Sequence, residues 1–241
     1  MGWGQIQTLL DRVDNRADRD WYATRSSAFG WSRNTLVHHI STQLKLRTGT
    51  APDNFTTTLP AADSDAVREL VHDPVRLDFL SLDPGFSERQ LEDALVAHLT
   101  HLIAELGHGF AFVGRQVPLR VGDCELFVDL LFYHLGLRRF IVFELKIGEA
   151  DSRDIGQLAT YVEVVDEQLR QHDRGDEATI GILLEAARDE IFIQYALRAS
   201  TAPMAVLTYT TENDLPDALR PALPSTADLT RLVRSVQHED T

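Results

Sequence analysis

Along the 241 residues, apolar positions follow first a helical and then a strand period, and the change comes at Gly107. Before it, "IQTLL", "RDWYATRSSAFG" ending at Gly30, and "SRNTLVHHISTQLKLR" beginning near Ser32 read as short helices. In the third, Leu36, Val37, Ile40 and Leu44 lie on one helical face that Arg47 continues. The stretch "TGTAPDNFTTTLPAADSDA" is rich in Thr, Pro, Asp and Ala and reads as a linker. The expected division is a helical region over 1–50, a linker over 51–72 and one larger domain over 73–241. A short helix is expected over "DAVRELV", halted by Asp73-Pro74.

The strongest helix start is Ser87, with Gln90 three residues on as a capping box and Glu88 placed for the helix dipole. From there Leu91, Leu95, Leu102 and Leu106 form one stripe, closed by Gly107 as a C′ residue. Beyond it "GFAFVGRQVPLRV", "CELFVDLLFYH" and "RRFIVFELKI" read as strands. A helix follows over about 152–170, with Leu158, Val162, Val165 and Leu169 inward. Then "ATIGILLEA", "EIFIQYAL" and "MAVLTYT" read as further strands, and Ser225 to Val236 as a closing helix. Helix, three strands, helix, strand predicts an α/β or α+β domain with a mixed sheet covered by helices.

Composition narrows the class. Apolar residues make up 44% and charged residues 25%, the balance of an ordinary soluble domain. No apolar run approaches the roughly 18 residues that span a bilayer, and "MGWGQIQTLLDRVD" lacks a secretory layout. The single cysteine, Cys124, leaves no intrachain disulfide, so the expected location is cytoplasmic, without a membrane partner. The net charge of −14 argues against indiscriminate phosphate binding. Residues 1–84 hold 9 basic and 11 acidic side chains, so nearly all of the excess lies beyond them. Trp21 to Arg47 contains no Asp or Glu, but has Arg25, Arg33, Lys45 and Arg47. A nucleic-acid footprint outside a catalytic cleft would include that stretch; a solvated helical surface is the plainer reading.

Candidate chemistry sits where charge interrupts the apolar strands. Side chains alternate across a strand, so Glu144 and Lys146 share a face, with Ile141, Phe143, Leu145 and Ile147 on the other. Asp129 lies in an equally apolar setting. Gly136-Leu137 suits a two-residue hairpin turn with glycine first, which pairs Leu135 with Arg138 and therefore sets Asp129 opposite Glu144. Opposed carboxylates in a half-buried sheet destabilise it unless something neutralises them. A divalent cation would do so, and oxygen ligands favour Mg²⁺ or Mn²⁺. Lys146 would then position a water or stabilise charge on a phosphate; alternatively it is one partner of a buried salt bridge with no chemistry. Glu92 shares a stripe with Val96, Leu99 and Ile103 and would supply a third acid, unless it serves only the helix dipole. Gln157 and Tyr161 are an i, i+4 pair on the following helix that would contact substrate, although a helical Tyr is commonly core.

These residues, in this order, resemble the PD-(D/E)XK nuclease superfamily: Asp129, then Glu144-Leu145-Lys146, with Glu92 before and Gln157-x-x-x-Tyr161 after. "GFAFVGRQ", "DLLFYH", "RRFIVFELKIGE", "GQLATYVEVVDEQLR", "IGILL" and "YALR" are similar more narrowly to the YhcG family, from about Asp73 onward. "WGQIQTLL", "RDWYATRSSAFGWSRNTLVHHISTQL" and "DNFTTTLPAADSDAVRELVHDP" resemble the later half of that family's helical N-terminal domain. Ala150 departs from the family pattern, which leads to an aromatic after the ELK strand. The resemblance implies a restriction-endonuclease-like core. In it Asp129, Glu144 and the Leu145 carbonyl would ligate metal, Glu92 would assist, Lys146 would orient or activate water, and Gln157 and Tyr161 would shape the substrate side. The implied activity is metal-dependent hydrolysis of phosphodiester bonds in nucleic acid, with DNA the expected substrate. A homodimer would supply the two sites needed to cut two strands.

The competing class is a non-catalytic nucleic-acid- or protein-binding module on the same fold, against which the intact Asp129, Glu144 and Lys146 set argues. A glycosidase pair of Glu92 and Glu144 leaves the lysine without a task. His98 and His101 lack the further Cys or His that a zinc site needs. Cys124 has no basic neighbour in sequence to activate it.

Overall fold

The computed structural model describes residues 1–211; the helix expected at Ser225 to Val236 lies outside the described residues. Six strands form one mixed sheet in the order β1-β6-β5-β4-β3-β2, with β1 Val75–Leu77, β2 Phe110–Val121, β3 Cys124–His134, β4 Arg139–Lys146, β5 Ile180–Glu185 and β6 Met204–Thr211. β1, β6, β5 and β4 run parallel to one another, and β3 and β2 are antiparallel additions. The central strand β4 is apolar on both faces because both are covered. Ile141, Phe143 and Leu145 enter one core layer, Phe140 and Val142 the other.

The first layer is closed by α7 (Glu88–Ala97) and α8 (Leu99–Leu106), through Leu91, Leu95, Leu102 and Leu106. The stripe belongs to two helices rather than the expected one. The chain breaks at His98 (φ −110°, ψ 33°), whose Nδ1 lies 3.0 Å from the Ala94 carbonyl. The second layer is formed by α9 (Ser152–Gln168) and α10 (Glu190–Ala199). α10 occupies the segment "EIFIQYAL" expected as a strand. Asp189 caps it by accepting from the Ile191 and Phe192 amides, and Ile193 and Leu197, four apart, are its buried residues. Ile191 and Tyr195, also four apart, are exposed.

α9 seats deeply on β5. A Cβ at Gly181 would come within 2.8 Å of Val162 Cγ2 and 2.9 Å of Leu158 Cγ, so only glycine permits this approach.

The N-terminal helices α1 (Trp3–Arg12), α2 (Arg16–Ala28), α3 (Arg33–Ser41) and α4 (Leu44–Arg47) enclose their own small core of Leu9, Val13, Tyr22, Trp31, Leu36 and Leu44. Two of the three expected helices match; the third divides at Gln43, which adopts a left-handed φ of 53°. None of the described helices is long and apolar enough to cross a membrane.

The stretch expected as a linker is packed structure. It carries α5 (Phe55–Thr58) and α6 (Ala61–Arg68), and Phe55 and Val67 are fully buried in the first layer. The Asn54 side chain donates to the Leu197, Ser200 and Ala202 carbonyls and accepts from the Met204 amide. Buried Arg139 of β4 meets Asp63 at 3.0 Å. The polar composition misled because Asn54 bonds to backbone and Asp63 to a buried guanidinium inside the fold. Replacing Phe55 with Ala is expected to cost about 3–5 kcal/mol, as for a fully buried aromatic, measured by denaturant unfolding. A loss below about 0.5 kcal/mol, typical of a surface change, would show that the segment does not share the core.

Candidate active site

The hairpin of β3 and β4 has the expected register: Leu130 pairs with Phe143, Leu131 with Val142, Phe132 with Ile141, Tyr133 with Phe140 and His134 with Arg139. The turn differs from expectation. The left-handed residue is Arg138 (φ 53°) rather than Gly136, and the Arg138 amide donates to the His134 carbonyl at 2.7 Å. A four-residue loop from Leu135 to Arg138 preserves the pairing a two-residue turn would have set.

The ladder stops one pair before Asp129 and Glu144. Asp129 is not a simple cross-strand neighbour. Its Oδ2 accepts from the Leu145 amide at 2.9 Å, taking the place of a strand partner. The alternation of β3 slips at the same point, since Leu126 and Val128 pack with the second layer whereas Leu130 and Phe132 pack with the first. β3 and β4 therefore part at Asp129, and acids from both layers reach the gap.

From the first layer comes Glu92 on α7, buried at 5% exposure. The Gln116 amide donates to Glu92 Oε2 at 2.6 Å and to Asp129 Oδ1 at 3.0 Å, holding the two carboxylates apart. Gln116 adopts a φ of 45°, an unusual conformation for a side-chain-bearing residue. It stands beside the irregularity in β2 between Phe112 and Gly114, a device that re-aims side chains. Arg115 meets Glu92 at 3.2 Å and Asp93 at 2.8 Å. A cleft of about 290 Å³ opens between Glu88, Arg89, Glu92, Arg115, Gln116 and Asp129.

From the second layer, Gln157 on α9 donates to Glu144 Oε1 and to the Tyr161 hydroxyl, both at 2.9 Å. Tyr161 is 6% exposed. It therefore sits beneath Gln157 rather than on an open surface, and its hydroxyl fixes that glutamine. Lys146 Nζ lies 3.2 Å from Asp154, 3.6 Å from Glu88 and 3.9 Å from Glu144, so it spans the first turns of α7 and α9. Both helices begin at the site, capped by Ser87 and Asp151, and their N-termini bring positive potential to it.

The electrostatics separate the acids. Burial, reinforced by the Asp129 charge, pushes the Glu144 carboxyl up to about 8. Burial also raises Asp129, against the hydrogen bonds from Leu145 and Gln116, and raises Glu92 against the one from Gln116. Burial alone would lower Lys146, but the Asp154 hydrogen bond and the charges of Glu88, Asp154 and Glu144 hold it above the usual lysine range, as an ammonium. Glu144 Oε2 is buried and, among the described residues, has no hydrogen-bond partner. A buried carboxylate oxygen without a donor, beside a second acid, is suited to ligating a cation. The donor set of Asp129, Glu144 and nearby Glu92 is all oxygen, which fits Mg²⁺ or Mn²⁺.

All six sequence-predicted side chains thus meet at one end of the sheet. Sequence reasoning missed Gln116, Arg115, Glu88 and Asp154. Gln116 is the last residue of the family-like phrase "GFAFVGRQ", but its bridging role depends on a left-handed backbone that no local pattern announced. The basic stretch in the N-terminal region is largely paired within the protein: Arg25 with Glu69 at 3.1 Å, Lys45 with Asp18 at 2.5 Å, Arg47 with Glu105 at 2.8 Å.

The family described as "YhcG PDDEXK nuclease domain" matches residues 68–224. YhcG of Escherichia coli (strain K12) is 35% identical over 211 residues, covering 86% of this chain and 55% of that protein, so the chain spans about half the length of this curated relative. Among solved structures, a repair endonuclease from Pyrococcus abyssi has 21% identity and a TM-score of 0.37, over 54% of this chain and 49% of the other. An EndoMS–dsDNA complex has 22% identity and a TM-score of 0.37, over 56% and 47%. The chain belongs to the YhcG family and carries its PD-(D/E)XK nuclease domain.

Proposed function

We propose that this protein is a metal-dependent nuclease that hydrolyses phosphodiester bonds in DNA. The observation that carries the reading is the buried Glu144 Oε2 beside Asp129, without a hydrogen-bond partner among the described residues, with the Lys146 ammonium 3.9 Å from Glu144 Oε1. Asp129 and Glu144 would hold Mg²⁺ or Mn²⁺, with the Leu145 carbonyl as a further ligand and Glu92 assisting. Such an ion acts as a Lewis acid on the phosphate and lowers the cost of forming hydroxide from water.

The residues around it have distinct tasks. Lys146, held charged, orients the attacking water or stabilises charge gathering on the phosphoryl oxygens. Gln157, itself fixed by Tyr161, sets the Glu144 carboxylate. Gln116 keeps Glu92 and Asp129 from closing on each other, and Arg115 and Arg89 line the cleft where a phosphate backbone would lie. Family membership and the site's chemistry support hydrolysis of a nucleic-acid phosphodiester; DNA is the substrate we propose, and cleavage of RNA instead would correct it.

The direct test is cleavage of plasmid, single-stranded DNA and RNA with Mg²⁺ or Mn²⁺, by wild type beside Lys146→Ala and Asp129→Asn. Wild type is expected to cleave DNA, and each variant, verified as folded by circular dichroism, to lose at least 100-fold. Folded wild-type protein that cleaves no nucleic acid with either ion would sink the proposal.

A second expectation follows from the Glu144 carboxyl. Its folded value, about 8, lies above its unfolded value of roughly 4.3. Its protonated form therefore favours the fold below about pH 4, and that stability is lost as pH rises toward 8. The Tm of metal-free protein is expected to fall by several degrees between pH 6 and 9, at roughly 2–4 °C per kcal/mol for a chain of this size. Glu144→Gln should flatten this fall. Because an ion would compensate the charge that Glu144 carries once its proton is lost, Mg²⁺ should restore wild type at pH 9 and not the variant. An identical pH profile in both proteins would show that Glu144 titrates normally.

A further inference from the structure

The junction between the N-terminal helices and the sheet holds a second group of titratable side chains, which the nuclease reading does not use. The last turn of α3 presents His38 and His39, and α8 presents Glu105 from the opposite side. His39 is fully buried, its ring 4.4 Å from that of Trp31. Among the described residues neither of its ring nitrogens has a hydrogen-bond partner. Leaving a buried polar group unpaired costs about 1–3 kcal/mol. Burial, then the charge of His38, pushes its titration down to about 3, so the imidazole is neutral and keeps a lone pair.

Glu105 is also fully buried. Burial would raise its carboxyl, but the His38 and His72 hydrogen bonds and the His72 and Arg47 charges reverse this and hold it well below the usual range. Its two oxygens are used unequally. Oε1 accepts from Arg47 at 2.8 Å, the Arg76 amide at 2.7 Å and His72 at 3.2 Å, whereas Oε2, among the described residues, meets His38 alone, at 2.8 Å. One ligand atom from each of His38, His39 and Glu105 lies within 4.8 Å of the others. A cavity of about 40 Å³, lined by Trp31, His39, His72 and Glu105 among others, adjoins two of the three, His39 and Glu105. That is more than the ~10–15 Å³ one water requires.

We propose that His38, His39 and Glu105 form a transition-metal site of the zinc type, which fastens the helical region to the nuclease core. Two imidazoles and one carboxylate suit zinc and its neighbours rather than magnesium. The three donors on Glu105 Oε1 orient the carboxylate as outer partners orient metal ligands, and leave Oε2 for the ion. Tetrahedral bonds of about 2.0–2.2 Å bring ligand atoms closer than 4.8 Å, so binding would draw α3 against α8. The site lies on the first-layer side of the fold and is independent of the nuclease proposal.

The test uses the full chain, stripped with chelator and titrated with Zn²⁺ by calorimetry in excess Mg²⁺, with Co²⁺ absorption as a spectroscopic readout. One equivalent is expected to bind, to raise the Tm and to give Co²⁺ bands of low-symmetry coordination. His39→Gln should weaken binding by at least tenfold, and so should His38→Gln, whose side chain is partly exposed and whose replacement leaves the core intact. Asp129→Asn should leave it unchanged. If His39→Gln fails to fold, His38→Gln decides. The proposal is overturned if folded wild type binds no Zn²⁺ under these conditions, which would make the cavity a water site. It is equally overturned if binding survives His38→Gln, or disappears in Asp129→Asn.

Discussion

The hydrogen bond from the Leu145 amide to the Asp129 carboxylate organises everything at the working end of this protein. A carboxylate stands where a strand would continue, so β3 and β4 part while the β4 amide remains satisfied. An unpaired buried amide would cost a comparable share of a domain's net stability. Asp129 thus supports the sheet and the site with one side chain. The gap it creates admits Glu92 from one helical layer and Glu144 with Gln157 from the other, which a continuous sheet would keep on opposite faces.

Two buried glutamates show how the same residue type serves different ends. Glu105 is surrounded by donors from Arg47, His72, His38 and the Arg76 backbone, and is held ionised. Glu144 has one donor and an acid neighbour, and is held protonated near neutral pH. The first arrangement resists change because every alternative leaves a charge uncompensated. The second leaves a carboxyl whose ionisation nothing but Lys146 and Gln157 compensates among the described residues. Counting donors around a buried carboxylate distinguishes the two more sharply than burial alone, which is nearly equal.

Much of this was legible in the sequence, for identifiable reasons. Glu144 and Lys146 interrupt an otherwise apolar strand, and the spacing from Asp129 across a short loop fixed the pairing although the turn itself was of another kind. The α7 start was legible because Ser87 and Gln90 form a capping box that needs no tertiary partner. What escaped was non-local. Phe55 lies in a polar stretch and is buried only because the sheet meets it, and β1 is three residues long and recognisable only beside β6. The α10 segment is apolar like a strand, and its Asp189 cap was the overlooked signal. Gln116 escaped because its role comes from a left-handed backbone beside a bulge.

Gly181 carries no functional group and lies on β5, away from the acids. The absence of its side chain sets how closely α9 rests on the sheet, and α9 carries Gln157 to Glu144. A methyl group there would act as a wedge, lifting a helix whose polar contact to the site is only 2.9 Å long. The chemistry at the cleft therefore has a mechanical tolerance fixed several residues away. Substitutions that merely enlarge the β5–α9 interface would detune it while every acid and the lysine stayed in the chain.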